Sequence, residues 1–249
     1  SVSEKTRQRA AEFLASAQRS MAEKEFSNAR LQFKNAIKLD PALVDAYKGL
    51  AQAALALKLY TEAHDALQRI TEIDPESPNA YVELAKWGIV HGDPSMSVSY
   101  VEAAEERGAE GPEFLLLQAR CYAKAEDLQK AEGCAQAILQ EKNVSVEACI
   151  VCSDIALRMD KPEIAEARLR AGLERQPESN RLHTALASLY DRSGEPKKAL
   201  PHLVAAYKTD RDNHQLGTIL AECYLSTGTP RKAIGVYRSI AEKEPSLFF

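Results

Sequence analysis

The sequence predicts an all-α solenoid of helix–turn–helix units, and three observations predict it. Composition is the first: 45% of the 249 residues are hydrophobic but only 6% are aromatic. The apolar share leans on Ala and Leu, strong helix formers, while β-branched runs are few. Self-similarity is the second, since KEFSNARLQFKNAIKLDP (24–41) recurs as KLYTEAHDALQRITEIDP (58–75) at an offset of 34 residues. The third is punctuation, with Pro and Gly at fixed phase inside that period.

Carried along the chain, the offset places unit starts at Ala10, Val44, Pro78, Pro112, Val146, Asn180 and His214. Seven 34-residue units then fill 10–247 without insertion or deletion, residues 1–9 extend the first helix, and 248–249 form a tail. Position 8 of the unit reads Ala17, Ala51, Ala85, Ala119, Ser153, Ala187 and Ala221. Position 20 reads Ala29, Ala63, Ser97, Ala131, Ala165, Ala199 and Ala233. Two small-residue columns at fixed phase mean two helices in close approach, where a larger side chain collides. Position 24 (Phe33, Leu67, Val101, Ala135, Leu169, Leu203, Tyr237) and position 27 (Ala36, Ile70, Ala104, Ile138, Gly172, Ala206, Ile240) share a helix face with position 20. Pro94, Pro162, Pro196 and Pro230 suit the first turn of the second helix, where the missing N–H is no loss. Gly92, Gly194 and Gly228, two residues earlier, close the first helix, and Pro41, Pro75, Pro177 and Pro245 end the second.

These columns, with Tyr122, Tyr190 and Tyr224 at position 11, resemble the tetratricopeptide repeat family. The resemblance implies a right-handed superhelix whose first helices line a concave groove, each unit burying its neighbours' faces. Ala109, Asn143 and Arg211 stand where the family places Pro at position 32, and Gly217 replaces the bulky residue of position 4. Local turn geometry and packing are expected to differ there. More narrowly, ARLQFKNAIKLDP (29–41) resembles the opening repeat of bacterial tetratricopeptide proteins linked to exopolysaccharide production and export. That likeness implies, as an alternative role, a bacterial envelope scaffold on the periplasmic side, often a lipoprotein.

A formal charge of −4 argues against a general nucleic-acid binder. No stretch approaches 18 consecutive apolar residues, so no membrane span is expected, and SVSEKTRQRA lacks the apolar core of a secretory signal. The sequence contains no H-E-x-x-H, G-x-S-x-G or P-loop pattern, and His64, His91, His183, His202 and His214 are dispersed. Carboxylates lie beside Lys and Arg, as in VEAAEERG (101–108), the pattern of a solvated helix face. No catalytic residue, cofactor or metal ligand is assigned, and a non-enzymatic protein is expected; the alternative is an accessory domain of a larger enzyme.

Cys121, Cys134, Cys149, Cys152 and Cys223 are odd in number, which tilts towards reduced thiols and a reducing compartment. Cys149-Ile150-Val151-Cys152 falls at positions 4 to 7 of its unit, where other units carry Phe13, Tyr47, Leu50 or Leu84. A metal site needs two further ligands, and a redox pair starts at a helix N-terminus after a strand. Both cysteines are expected to be small buried hydrophobes.

The resemblance implies that positions 2, 5, 9, 12 and 13 of each first helix face the groove. Along positions 5, 9 and 13, Val82, Leu116 and Ile150 make an apolar row, and Lys86, Arg120, Lys124, Arg158 and Arg192 a basic row interrupted by Asp154. These eight residues are the candidate ligand groove, for a protein or peptide carrying apolar anchors and acidic groups that the planar Arg fork can hold. The alternative is a solvated face neutralised by Asp45, Glu113 and Glu147 at position 2. The chaperone-tail subtype of the family is not expected, because Gln52, Glu83 and Leu116 depart at three of its five carboxylate-binding positions. After Pro245 the chain ends in Leu247, Phe248 and Phe249 with no polar capping helix, which predicts self-association through the last unit.

Overall fold

The computed structural model describes residues 3–243. It contains fourteen α-helices and, among the described residues, no strand. The first helices of successive units are α1 (Glu4–Ala22), α3 (Val44–Ala56), α5 (Pro78–His91), α7 (Pro112–Lys124), α9 (Val146–Arg158), α11 (Asn180–Arg192) and α13 (His214–Ser226). The second helices are α2 (Phe26–Leu39), α4 (Tyr60–Ile73), α6 (Pro94–Glu106), α8 (Leu128–Gln140), α10 (Pro162–Arg175), α12 (Pro196–Thr209) and α14 (Pro230–Lys243). The chain divides into two compact units, Ser1–Asp127 and Leu128–Phe249, each an all-α helical-repeat solenoid segment. Within the first, consecutive helices from α1 through to α7 pack on one another and α5 also meets α7; within the second, consecutive helices from α8 through to α14 do so and α9 also meets α11.

Both small-residue columns are buried, with no member more than 3% exposed. In the fifth repeat the two columns touch: the Ser153 hydroxyl at position 8 donates to the carbonyl of Ala165 at position 20, 3.2 Å away. Ser97, the other hydroxyl in these columns, donates to the Pro94 carbonyl at 2.7 Å, so neither leaves a buried polar atom unmatched. Phe33, Leu50, Leu67, Ile70 and Leu84 fill the space around the alanines of the first unit. Each such side chain contributes roughly 1.5–3 kcal/mol on burial.

Position 15, just past the first helix, carries the turn. Gly194 (φ 68°) and Gly228 (φ 75°) adopt the left-handed conformation there, and so do Lys24, Lys58, Glu126 and Asp160 at φ 58–62°. Gly92 closes α5 differently, in extended backbone (φ −102°), and Asp93 then caps α6 by accepting from the Ser95 N–H at 2.8 Å. Size is what Gly92 supplies: a Cβ would stand 3.0 Å from the Trp87 ring and from the Gly88 Cα. At Gly217 the neighbours take up the missing bulk, since a Cβ would lie 2.9 Å from Ile240 and 3.0 Å from Tyr207. Near Ala109, Arg107 stacks over Tyr81 at 4.2 Å and donates to the Pro75 carbonyl at 2.6 Å.

Pro245 and the Leu247–Phe249 tail, to which the sequence assigns a helix stop and a self-associating end, lie outside the described residues. Among the described residues no helix is long and apolar enough to cross a membrane.

Candidate functional site

The first unit contains a cleft of about 780 Å³ lined mainly by α3, α5 and α7. Its walls follow from the spacing of each first helix. Ala51, Ala80 and Leu117 turn inward and are buried, whereas residues one face over stay accessible. Leu67 and Ile70 of α4 and Phe114 of α7 complete an apolar floor. Above it stand Leu55, 37% exposed, half-buried Val82 and Val90, which is 66% exposed.

Trp87 and His91 line the cleft and belong to an aromatic cluster, which forms its aromatic wall. The rings of Tyr60 and His91 stack with centroids 3.9 Å apart, and Trp87 lies 6.0 Å from His91 and 4.4 Å from His64. Hydrogen bonds fix the stack: Trp87 Nε1 donates to the Tyr60 carbonyl at 3.2 Å, and His64 Nε2 meets the Tyr100 hydroxyl at 3.1 Å. Polar groups line it as well: Lys48, Gln52, Asn79, Glu83, Lys86, Glu110 and Glu113. Lys86 pairs with Glu83 at 2.7 Å, one helical turn away, and Lys48 lies 3.8 Å from Asp45.

Of the sequence-derived groove residues, Val82 and Lys86 line this cleft. Leu116 (half-buried), Arg120 and Lys124 (both exposed) follow on α7 of the same unit, with the Lys124 ammonium donating to the Ile89 carbonyl. Ile150, Arg158 and Arg192 belong to the second unit, Ile150 half-buried and the two arginines exposed. Asp154 shares their neighbourhood: desolvation raises its carboxyl pKa, against the pull of Arg192 and Arg158.

The aromatic wall escaped the sequence reading. Tyr60 and His91 belong to different repeats, so no local spacing joins them; the signal present was Trp87, the only Trp of the chain. Cys149 and Cys152 are 2% and 0% exposed. Burial raises the Cys149 thiol and pushes Cys152 up to about 12, the opposite of what a nucleophilic or ligating thiolate requires. Among the described residues, no group of three or more His, Cys, Asp or Glu converges as a metal site.

Models of the tetratricopeptide repeat match residues 20–86, and again 90–145, 153–214 and 184–247. No curated protein matches the chain. Among solved structures, a tetratricopeptide repeat protein from Parabacteroides merdae superposes with a TM-score of 0.77 at 14% identity, over 95% of this chain and 94% of that one. PilF from Pseudomonas aeruginosa gives 0.63 at 17% identity, over 83% of this chain and 94% of that one. MamA from Desulfovibrio magneticus gives 0.55 at 17% identity, over 69% and 97%. At such identities the likeness establishes the fold.

Proposed function

The chain belongs to the tetratricopeptide repeat family, and from that premise we propose a non-enzymatic scaffold that holds a peptide or protein segment in the cleft of its first unit. Repeats of this family generally serve as protein–protein interaction scaffolds. The observation that carries the finer reading is the pair of exposed apolar side chains, Leu55 and Val90, set on helices beside a hydrogen-bonded aromatic wall. Apolar anchors ringed by a few placed polar groups are the usual make-up of a recognition pocket. The partner segment brings apolar residues to this wall and acidic groups to Lys48 and Lys86. Lys86 is available for that exchange, because its pairing with Glu83 is solvent-exposed on both sides and such pairs contribute only about 0–1 kcal/mol. Leu116, Arg120 and Lys124, and in the second unit Ile150, Arg158 and Arg192, offer further surfaces of the same apolar-and-basic make-up.

Affinity capture from the native host tests this with two baits. Leu55→Glu with Val90→Asp attacks the apolar wall at exposed positions, and Lys86→Glu with Arg120→Glu and Arg158→Glu reverses the basic row. The first bait is expected to lose its partner and the second to weaken recovery, with melting temperatures unchanged. Full recovery by both baits rules out the groove.

A further inference from the structure

His183 on α11 and His202 on α12 are 19 residues apart, yet their Nδ1 atoms stand 3.0 Å from one another. Nε2 of His183 lies 2.9 Å from the Pro177 carbonyl. A carbonyl only accepts, so that nitrogen carries the hydrogen and the neutral ring is bare at Nδ1. The contact between the rings then requires His202 to donate from its own Nδ1. Two imidazole nitrogens thus meet in one space, one of them with its tautomer fixed by a backbone carbonyl. This is how proteins commonly orient a metal-binding histidine.

We propose that His183 and His202 form a two-imidazole chelate for a divalent transition-metal ion of the Cu²⁺ or Ni²⁺ type. The spacing is within reach of a shared ion. Two nitrogens at about 2.0–2.1 Å from one ion are about 2.9 Å apart at a right angle and about 3.3 Å apart at a tetrahedral angle. The 3.0 Å separation of the hydrogen-bonded pair lies in that span, so a tilt of the rings brings both lone pairs onto one ion. Imidazole donors favour Ni²⁺ and Cu²⁺ among the divalent ions. On binding, His202 exchanges its proton from Nδ1 to Nε2, both rings stay neutral, and no net proton is released.

The surroundings are compatible with a cation. Arg170 of α10, a positive charge felt by His202, is paired with Glu166 at 2.7 Å, and both groups bond the Tyr190 hydroxyl. Lys198 of α12 lies over the Tyr190 ring, 5.6 Å from its centroid. Among the described residues no third acidic, Cys or His donor converges there, so water would complete the coordination of the proposed ion.

The test is titration of the tag-free protein with Ni²⁺ at pH 7.5, followed by calorimetry. One saturable equivalent is expected, with at least a tenfold loss of affinity in His183→Gln and in His202→Gln, and weakening below pH 6 as protons compete. In the unmodified protein, substoichiometric Cu²⁺ should broaden the imidazole NMR signals of His183 and His202 before those of His64, His91 and His214. No saturable binding, equal binding by either variant, or first broadening at another histidine overturns the assignment.

Discussion

Position 4 of the first helix is filled by Phe13, Tyr47, Tyr81 and Leu115 in the first unit, and by Cys149, His183 and Gly217 in the second. Where the bulk is present the helix fills its own gap. Where it is missing, a neighbouring helix supplies what fills it. Tyr207 and Ile240 cover Gly217 and His202 meets His183; Cys149 is the exception, filling its own space against Gly172, whose added Cβ would stand 3.1 Å from its sulfur. A repeat template therefore specifies the volume at a position more strictly than the residue that provides it. The difference has an electrostatic side. The described ion pairs around the first unit's cleft are exposed, whereas the second unit buries Arg168, which donates to both Glu132 oxygens and, at 2.6 Å, to the Cys152 carbonyl.

Truncating one acid in each unit tests that contrast most severely. Glu132→Ala leaves the Arg168 guanidinium, 9% exposed, without its carboxylate, and should destabilise the second unit by about 3–5 kcal/mol in urea denaturation. Glu83→Ala removes an exposed partner and should cost less than about 0.5 kcal/mol. Similar losses in both break the comparison. The pH dependence follows in the same sense. Burial raises the Glu132 carboxyl, but hydrogen bonds from Arg168 and Gln136 outweigh it and hold the group below the ordinary glutamate range. The stabilisation is therefore present above the unfolded-state pKa and is lost as pH falls through the depressed folded value.

Glycines extend the comparison at intermediate size. A Cβ on Gly49, in the first unit, would lie 2.1 Å from the Phe33 ring, which is 2% exposed and has no room to withdraw. Gly49→Ala should cost about 2–3 kcal/mol by overpacking. Gly133, on α8 of the second unit, has nothing within 4 Å of such a Cβ. There, Gly133→Ala should stabilise by about 0.5–1 kcal/mol through helix propensity alone. Paired thermal melts decide both signs.

The helix pairs were legible because a period reports phase. Once Ala17 and Ala29 mark the close approach in one repeat, every other repeat inherits it, and α3, α5, α7, α9, α11 and α13 begin at Val44, Pro78, Pro112, Val146, Asn180 and His214. Val82 and Lys86, which phase assigns to one helix face, both line the cleft of the first unit. Phase does not say how far a long side chain reaches. His91 stacking on Tyr60, Arg168 reaching Glu132 and His202 reaching His183 all join different helices, at separations that the 34-residue period does not mark. Their residue types were visible in the sequence, but their juxtaposition depends on helix–helix geometry.

The histidine pair gives a smaller, pH-dependent signal confined to the second unit. His202 is depressed by burial, by His183 and by Arg170. Protons bind the unfolded chain more readily than the folded one, so the stabilisation is complete above the ordinary histidine pKa near 6.5 and declines as pH falls below it. The melting temperature should therefore drop between pH 7 and pH 5, and the drop should shrink in His202→Leu. An identical drop in that variant assigns the effect elsewhere.

The thiols carry the smallest effect, one of reactivity without a change in stability. Cys149 and Cys152 occupy wall positions where the first unit uses Phe, Tyr or Leu and Ser, Leu or Gln, and Cys152 is pushed up to about 12. At pH 8 that leaves about one Cys152 in 10⁴ as thiolate, before any limit from burial. Half-buried Cys134 should react first with iodoacetamide, and the wall cysteines should become reactive only in denaturant. Peptide mapping after a timed pulse reads the order. Mild oxidation of the native chain supplies the opposite case. A two-dalton mass loss localised to Cys149 and Cys152 means that these thiols meet as a dithiol, and the packing account of the second unit's wall then fails at the position where it is most specific.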